Sequence, residues 1–207
     1  MRSTALLLIL TAALVTGLWA DATAQPQGID IPGATLDFEI RGSVDQENAD
    51  KLQRWVQQSA AQIVLAYGRF PVPAPRVVVI PSETSPWGGD SPVPFGRVTR
   101  SGGETVELYV DVDRPLADLS GDWTATHEFS HLLLPRISWR EKWISEGFAS
   151  YYQNVLMARA GNYTTDQAIE KLTQGFGRGR GSRPELSMNE ASQEGVRRAR
   201  YKIYWSG

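Results

Sequence analysis

The chemistry of this chain begins with its two histidines. His127 and His131 stand four apart in His127-Glu-Phe-Ser-His131, with Glu128 directly after the first. On a helix, residues four apart share a face, with Cβ atoms about 5–6 Å apart. Two imidazoles so placed converge on one tetrahedral ion with bonds of about 2.0–2.1 Å, which suits Zn²⁺. Glu128 projects beside such an ion, so its carboxylate can take a proton from water without displacing that water. The competing reading of a bare His-Glu-x-x-His is two histidines on one helix face by chance. The flanks count against it. Ala125, Phe129, Leu132 and Leu133 make the helix apolar around much of its circumference, and buried polar groups need partners, which one cation supplies to both rings.

A catalytic zinc site keeps three protein ligands and an open water position. Downstream lies Trp139-Arg-Glu-Lys-Trp143-Ile-Ser-Glu146-Gly-Phe-Ala-Ser-Tyr151-Tyr152. This segment resembles the gluzincin metallopeptidases, closest to the aminopeptidase-N-like and glycyl-aminopeptidase-like groups, whose second helix carries Trp-x-x-Glu-Gly-x-Ala-x-Tyr. The resemblance implies a zincin-like fold, Zn²⁺ as cofactor, a peptide or protein substrate, and Glu146 as third ligand. By itself Glu146 would read as an acid favoured near a helix N-terminus. The same families place a Tyr-x-x-Gly downstream, its Tyr donating to the transition-state oxyanion. Tyr204-Trp-Ser-Gly207 matches that pattern, with Tyr201 as a nearby competitor. The likeness is strong from Trp123 to Tyr152, and Tyr67-Gly-Arg-Phe-Pro71 resembles the approach to the catalytic domain.

Two departures stand out. Fourteen residues separate His131 from Glu146, a shorter gap than aminopeptidase-N-like enzymes usually show. The Gly-x-Met-Glu-Asn segment that holds a substrate amino terminus in them is absent. Ser101-Gly-Gly-Glu104 stands at a comparable distance before the helix. Aminopeptidase specificity therefore does not follow from the resemblance.

These residues need a scaffold. An irregular start over 25–33 leads to a strand over 35–41. A helix over 45–67 carries Leu52, Trp55, Val56, Ile63, Leu65 and Ala66 at helical intervals, and Gly68 closes it. Residues 76–80 read as a buried β-branched strand stopped by Pro81, and 82–94, around Trp87, as a loop. Strands over 95–99 and 105–112 form a hairpin through Ser101-Gly-Gly103, with Val106, Leu108 and Val110 facing the core and Glu107 and Tyr109 facing water. Asp122 caps a helix to about Leu134, ended by Pro135. A helix over 143–160 runs back antiparallel, with Gly147 allowing the two to approach closely. A further helix follows Thr164 or Thr165, then a Gly/Arg loop over 175–181, and a last helix over 195–205. The expected class is α+β: a small sheet in the first half and a helical second half carrying the zinc site.

A chain of 207 residues holds one domain. Net charge −2 and a pI near 5.7 exert no global pull on nucleic acid or anionic membrane. Locally, Arg178, Arg180, Arg183, Arg197, Arg198, Arg200 and Lys202 outnumber the nearby acids. They read as a solvated Gly-rich loop and an exposed helix face, or else as a patch for an acidic partner. Residues 1–24 read as a cleaved signal peptide: Arg2, an apolar run over 5–18, then the small-x-small sites Ala20-Asp-Ala22 and Ala22-Thr-Ala24. That run is short for a membrane anchor. With no cysteine, disulfides and thiolate metal sites are excluded. The reading is an exported zinc metallopeptidase working through a zinc-activated water, with residues 25–207 as its domain. Because the last helical pattern runs straight to Gly207, a longer native chain is expected. An exported zinc-containing binding or scaffold protein, and a hydrolase of non-peptide amides, are the alternatives; oligomeric state is open.

Overall fold

The computed structural model describes residues 27–84 and 89–206. The signal segment, Trp87 and Gly207 lie outside the described residues. The architecture is α+β as expected. In the first half run β1 (Gln27–Ile31), β2 (Ala34–Ile40), α1 (Gln46–Tyr67), β3 (Arg76–Pro81), β4 (Phe95–Thr99) and β5 (Thr105–Val110). The second half is helical: α2 (Leu116–Gly121), α3 (Thr124–His131), α4 (Lys142–Arg159), α5 (Thr165–Gly181), α6 (Met188–Glu194) and α7 (Val196–Trp205). A 3₁₀ turn, Trp139–Glu141, precedes α4.

The strands form one sheet in the order β1-β2-β3-β5-β4, parallel at its centre and antiparallel at both edges. One face carries the core: Leu36, Phe38, Val77, Val79, Val106 and Leu108 pack against Leu52, Trp55 and Ile63 of α1 and Phe129 of α3. Helix α1 is well delimited, since the Asp45 carboxylate accepts from the Asn48 N–H at 2.7 Å and Gly68 closes it at φ 77°. Inside it, buried Trp55 donates to the Leu119 carbonyl at 2.9 Å and ties α2 down.

The opposite sheet face was expected to be wet at Glu107 and is not. Register brings Glu39, Val78 and Glu107 into one row across β2, β3 and β5. Arg41 and Arg97 reach Glu107, Arg76 reaches Glu39, and together they cover Val78, which is fully buried. Aliphatic stems of paired charges can roof an apolar side chain in this way.

Other departures follow from contacts distant in sequence. The irregular start is strand β1: five residues with one fully buried side chain, Ile29, held by its ladder to β2 across a turn with Gly33 at φ 89°. The helix expected from Asp122 to Leu134 is the shorter α3, Thr124–His131, and α2 before it was not expected. Helix α2 ends at Gly121, and the Asp122 carboxylate then accepts from the Thr124 N–H at 2.8 Å. Helix α3 stops at His131, after which Leu132 to Leu134 tighten into i−3 hydrogen bonds. Arg100, from the β4–β5 connection, donates to the carbonyls of His131 and Leu134 at 2.7 and 2.9 Å, satisfying carbonyls that the helix leaves open.

The Gly/Arg loop over 175–181 is also helix, the last turns of α5. Its glycines are packing positions: a Cβ on Gly175 would lie 2.3 Å from the Trp205 ring, and one on Gly179 2.3 Å from the Trp205 carbonyl oxygen. Helix α7 sits in that notch. Helix α6 was not expected, although Ser187 and Glu190 form a reciprocal capping box at its start. Gly147 faces α7 rather than α3, with the Ile203 carbonyl 4.0 Å from its Cβ position. No helix among the described residues is long and apolar enough to cross a membrane.

Candidate active site

Every residue of α3 is buried, so its polar side chains must all be answered from neighbouring elements. Thr126 donates to Gln62 of α1 at 2.8 Å, and Ser130 bonds back to the Thr126 carbonyl at 2.7 Å. His127, Glu128 and His131 project toward α4, β4 and α7. They meet Glu146 there, one turn into α4, brought into place by the reversal after Pro135.

The Nε2 of His127 lies 3.2 Å from Glu146 Oε2, and the Nε2 of His131 lies 3.5 Å from the same oxygen. One ligand atom from each of the three residues falls within 4.8 Å of the others. A tetrahedron with bonds of about 2.0–2.1 Å has edges of about 3.3 Å, and the two distances to Glu146 Oε2 match such an edge. The outer nitrogens are anchored as well. His127 Nδ1 donates to Gln153 Oε1 at 2.6 Å, and His131 Nδ1 lies 2.8 Å from Ser145 Oγ. Such outer contacts orient imidazole ligands. Lys142, one turn before Glu146, holds its second oxygen at 3.1 Å.

Burial works against a charged His127, but the Glu146 hydrogen bond, the charges of Glu128 and Glu146 and the Gln153 contact outweigh it and raise its pKa. Burial would also raise Glu146, yet hydrogen bonds from His127 and His131 hold its carboxyl well below the usual carboxylate range. The shared Glu146 oxygen faces both imidazole Nε2 atoms, the point where a cation would be held. The residues fit a metal.

Glu128 is 8% exposed, and burial pushes its carboxyl pKa up against the lowering charges of the two histidines. It lies against Gly96 of the edge strand β4, where a Cβ would come within 2.5 Å of its Cγ. Tyr204 reaches the cluster from α7. Its ring stacks on His127 at 5.7 Å and 10°, and its hydroxyl lies within the influence of the Glu146 carboxylate. Burial, with the charges of Glu146 and Glu128, raises its pKa well above the ordinary phenol value. Tyr201 instead is 41% exposed and stacks with Arg178 and Arg200. Glu104, the acid of Ser101-Gly-Gly-Glu104, is turned onto Arg100 at 3.2 Å.

Space opens on both sides of this centre. A cavity of about 510 Å³ lies on the His127 side and one of about 810 Å³ on the His131 side. Phe95, Gly96, Glu128, Val196 and Tyr204 line both. Sequence reading missed Gly96, Lys142, Ser145 and Gln153. Lys142 and Gln153 had a signal, since they stand four before and seven after Glu146 on one helix face. Gly96 had none, because its role depends on a strand edge meeting α3.

The family model for M61 glycyl aminopeptidase matches residues 135–205. That stretch includes Glu146 and Tyr204 and begins after His131. No curated protein matches. Among solved structures, the chain is similar to an aminopeptidase N family protein from Idiomarina loihiensis, at 12% identity and a TM-score of 0.48. The similarity covers 75% of this chain and 29% of that one, so the chain spans under a third of that protein's length.

Proposed function

We propose that this chain is a zinc-dependent metallopeptidase, with His127, His131 and Glu146 as ligands, Glu128 as general base and Tyr204 as oxyanion donor. The observation that carries it is the convergence of His127 Nε2, His131 Nε2 and Glu146 Oε2 within 4.8 Å beside Glu128. A bound Zn²⁺ would act as a Lewis acid on a peptide carbonyl and on water. The Glu128 carboxylate takes the proton of the attacking water and returns it to the leaving amine; its raised pKa brings it nearer the working range of such a base. Tyr204 stays protonated at neutral pH, so its hydroxyl is a donor for the negative charge that develops on the carbonyl oxygen. Lys142 and the histidine anchors Gln153 and Ser145 keep the ligand atoms oriented.

Residues 25–207 form the mature domain in this reading. Arg2, the apolar run over 5–18 and the small-x-small sites support export, with Gln25 expected as the new N-terminus on intact-mass analysis of secreted protein. The central experiment combines elemental analysis with a peptide-library digest read by mass spectrometry, with and without chelator. One zinc per chain and chelator-sensitive cleavage are expected, and Glu128→Gln is expected to keep the zinc and lose cleavage. Zinc without cleavage in the unaltered protein would favour a binding or scaffold role instead.

A further inference from the structure

The two halves of the cleft differ in how their charges are satisfied. On the His131 side, three of the four lining cations are engaged: Arg97 with Glu107 at 2.5 Å, Arg100 with Glu104 at 3.2 Å and Lys142 with Glu146 at 3.1 Å. On the His127 side one face of α5 forms part of the wall, with Arg200 of α7 also lining it. Lys171, Gln174 and Arg178 stand there at i, i+3 and i+7 and line the cavity that holds Glu128 and His127. Among the described residues, neither Lys171 nor Arg178 has a carboxylate within ion-pair reach, and Glu128 is the only carboxylate lining that cavity.

Both cations are nonetheless held in place. The Lys171 ammonium lies 4.9 Å from the centre of the Tyr163 ring, and the Arg178 guanidinium 5.7 and 5.8 Å from the Tyr201 and Trp205 rings. Aromatic faces attract cations and restrict them without neutralising their charge. A site for a substrate's α-ammonium would need the opposite, carboxylates beside Glu128. The engagement of Glu104 with Arg100 removes the acid that sequence offered for that task.

We propose that the cavity on the His127 side is a carboxylate-recognition subsite, in which Lys171 and Arg178 of α5 receive an acidic group of the bound peptide. This assignment rests on the peptidase reading of the same site and names its substrate class: peptides bearing a carboxylate on that side of the bond to be cut. The carboxylate has two sources, an Asp or Glu side chain or the chain's own C-terminus.

The test uses zinc-loaded Glu128→Gln protein and isothermal titration calorimetry. One peptide framework is prepared with Glu or Gln at each interior position, and each version with a free or amidated C-terminus. A charge-assisted contact corresponds to about tenfold in affinity, so the best acidic peptide is expected to bind about tenfold tighter than the neutral amide. Loss of the preference on amidation assigns the subsite to the C-terminus, and loss on Glu→Gln assigns it to a side chain. Adding Lys171→Met and Arg178→Met, which keep apolar stems over the rings, is expected to abolish the preference and leave neutral-peptide affinity unchanged. Should that protein lose its native circular dichroism, Lys171→Gln at an exposed position replaces it, with about a threefold fall expected from one cation. Equal binding of acidic and neutral peptides, or a preference that survives the substitutions in folded protein, overturns the proposal. Cleavage by the unaltered enzyme is measured separately: binding preference without cleavage of any peptide overturns the peptidase reading and leaves the subsite standing.

Discussion

Substituting Gly179 by alanine tests whether α5 positions Tyr204, the proposed oxyanion donor. The added Cβ would stand 2.3 Å from the Trp205 carbonyl oxygen and 2.4 Å from its carbon, where ordinary contact begins at 3.4 Å. These are backbone atoms of α7, so no side-chain rotation relieves the overlap; α7 must withdraw by roughly 1 Å. Tyr204 is the residue before Trp205 and moves with it. An oxyanion donor has to be held within about 0.5 Å, and a 1 Å misplacement costs on the order of a hundredfold in rate. The proposed zinc ligands lie on α3 and α4 and stay in place. Gly179→Ala is therefore expected to lower kcat about a hundredfold, change KM little and leave zinc content at one per chain. Overpacking also costs about 1–3 kcal/mol, read from the urea midpoint. Gly175→Ala supplies the control: the three atoms nearest its Cβ belong to the Trp205 ring, at 2.3 to 2.6 Å, so Trp205→Leu in the same chain is expected to restore activity. Near-normal kcat in folded Gly179→Ala would refute the positioning argument, as would failure of Trp205→Leu to help Gly175→Ala.

Tyr204→Phe removes the donor and keeps the ring stacked on His127, so kcat is expected to fall about 10²- to 10³-fold with zinc retained. Gln153→Leu strips His127 of its outer hydrogen bond and is expected to weaken zinc about 10- to 100-fold in a competition titration; unchanged affinity would remove Gln153 from the site. Gly96→Ala pushes a Cβ to 2.5 Å from Glu128 Cγ and is expected to depress hydrolysis while zinc content stays at one per chain. Tyr163 gives a pH signature. Burial, then the Asp122 charge, push its phenol up to about 12. Because the folded pKa exceeds the unfolded value near 10, its contribution is complete below about pH 10 and is lost as pH rises through about 12. Urea midpoints are expected to fall over that window, and less steeply in Tyr163→Phe.

Much of the scaffold was legible because its signals are local. Asp45 and Gly68 bound α1 through hydrogen bonds and a dihedral set by neighbouring residues, and the turn between β4 and β5 announces itself in two adjacent glycines, Gly102 and Gly103. The spacing of His127, Glu128 and His131 places them together on α3 whatever surrounds it. Where the signal was weak, partners remote in sequence supplied the missing stability. Strand β1 has one fully buried side chain and exists because β2 offers a ladder; the end of α5 is helix because Trp205 fills the space that its glycines leave.

What the sequence by itself determined is the placement of His127, Glu128 and His131 on one helix, since helical periodicity is a property of a few consecutive residues. Convergence of Glu146 Oε2 on both Nε2 atoms depends on how α4 packs against α3, and the anchoring of the two rings by Gln153 and Ser145 depends on that same packing. The approach of Tyr204 to His127 depends on α5 receiving α7, and the space for Glu128 on the absence of a side chain at Gly96. The burial of Glu107 under Arg41 and Arg97 likewise needs four strands in register. These are distances between elements, set by side-chain volumes and charges meeting across the fold, and only the tertiary structure brings them together.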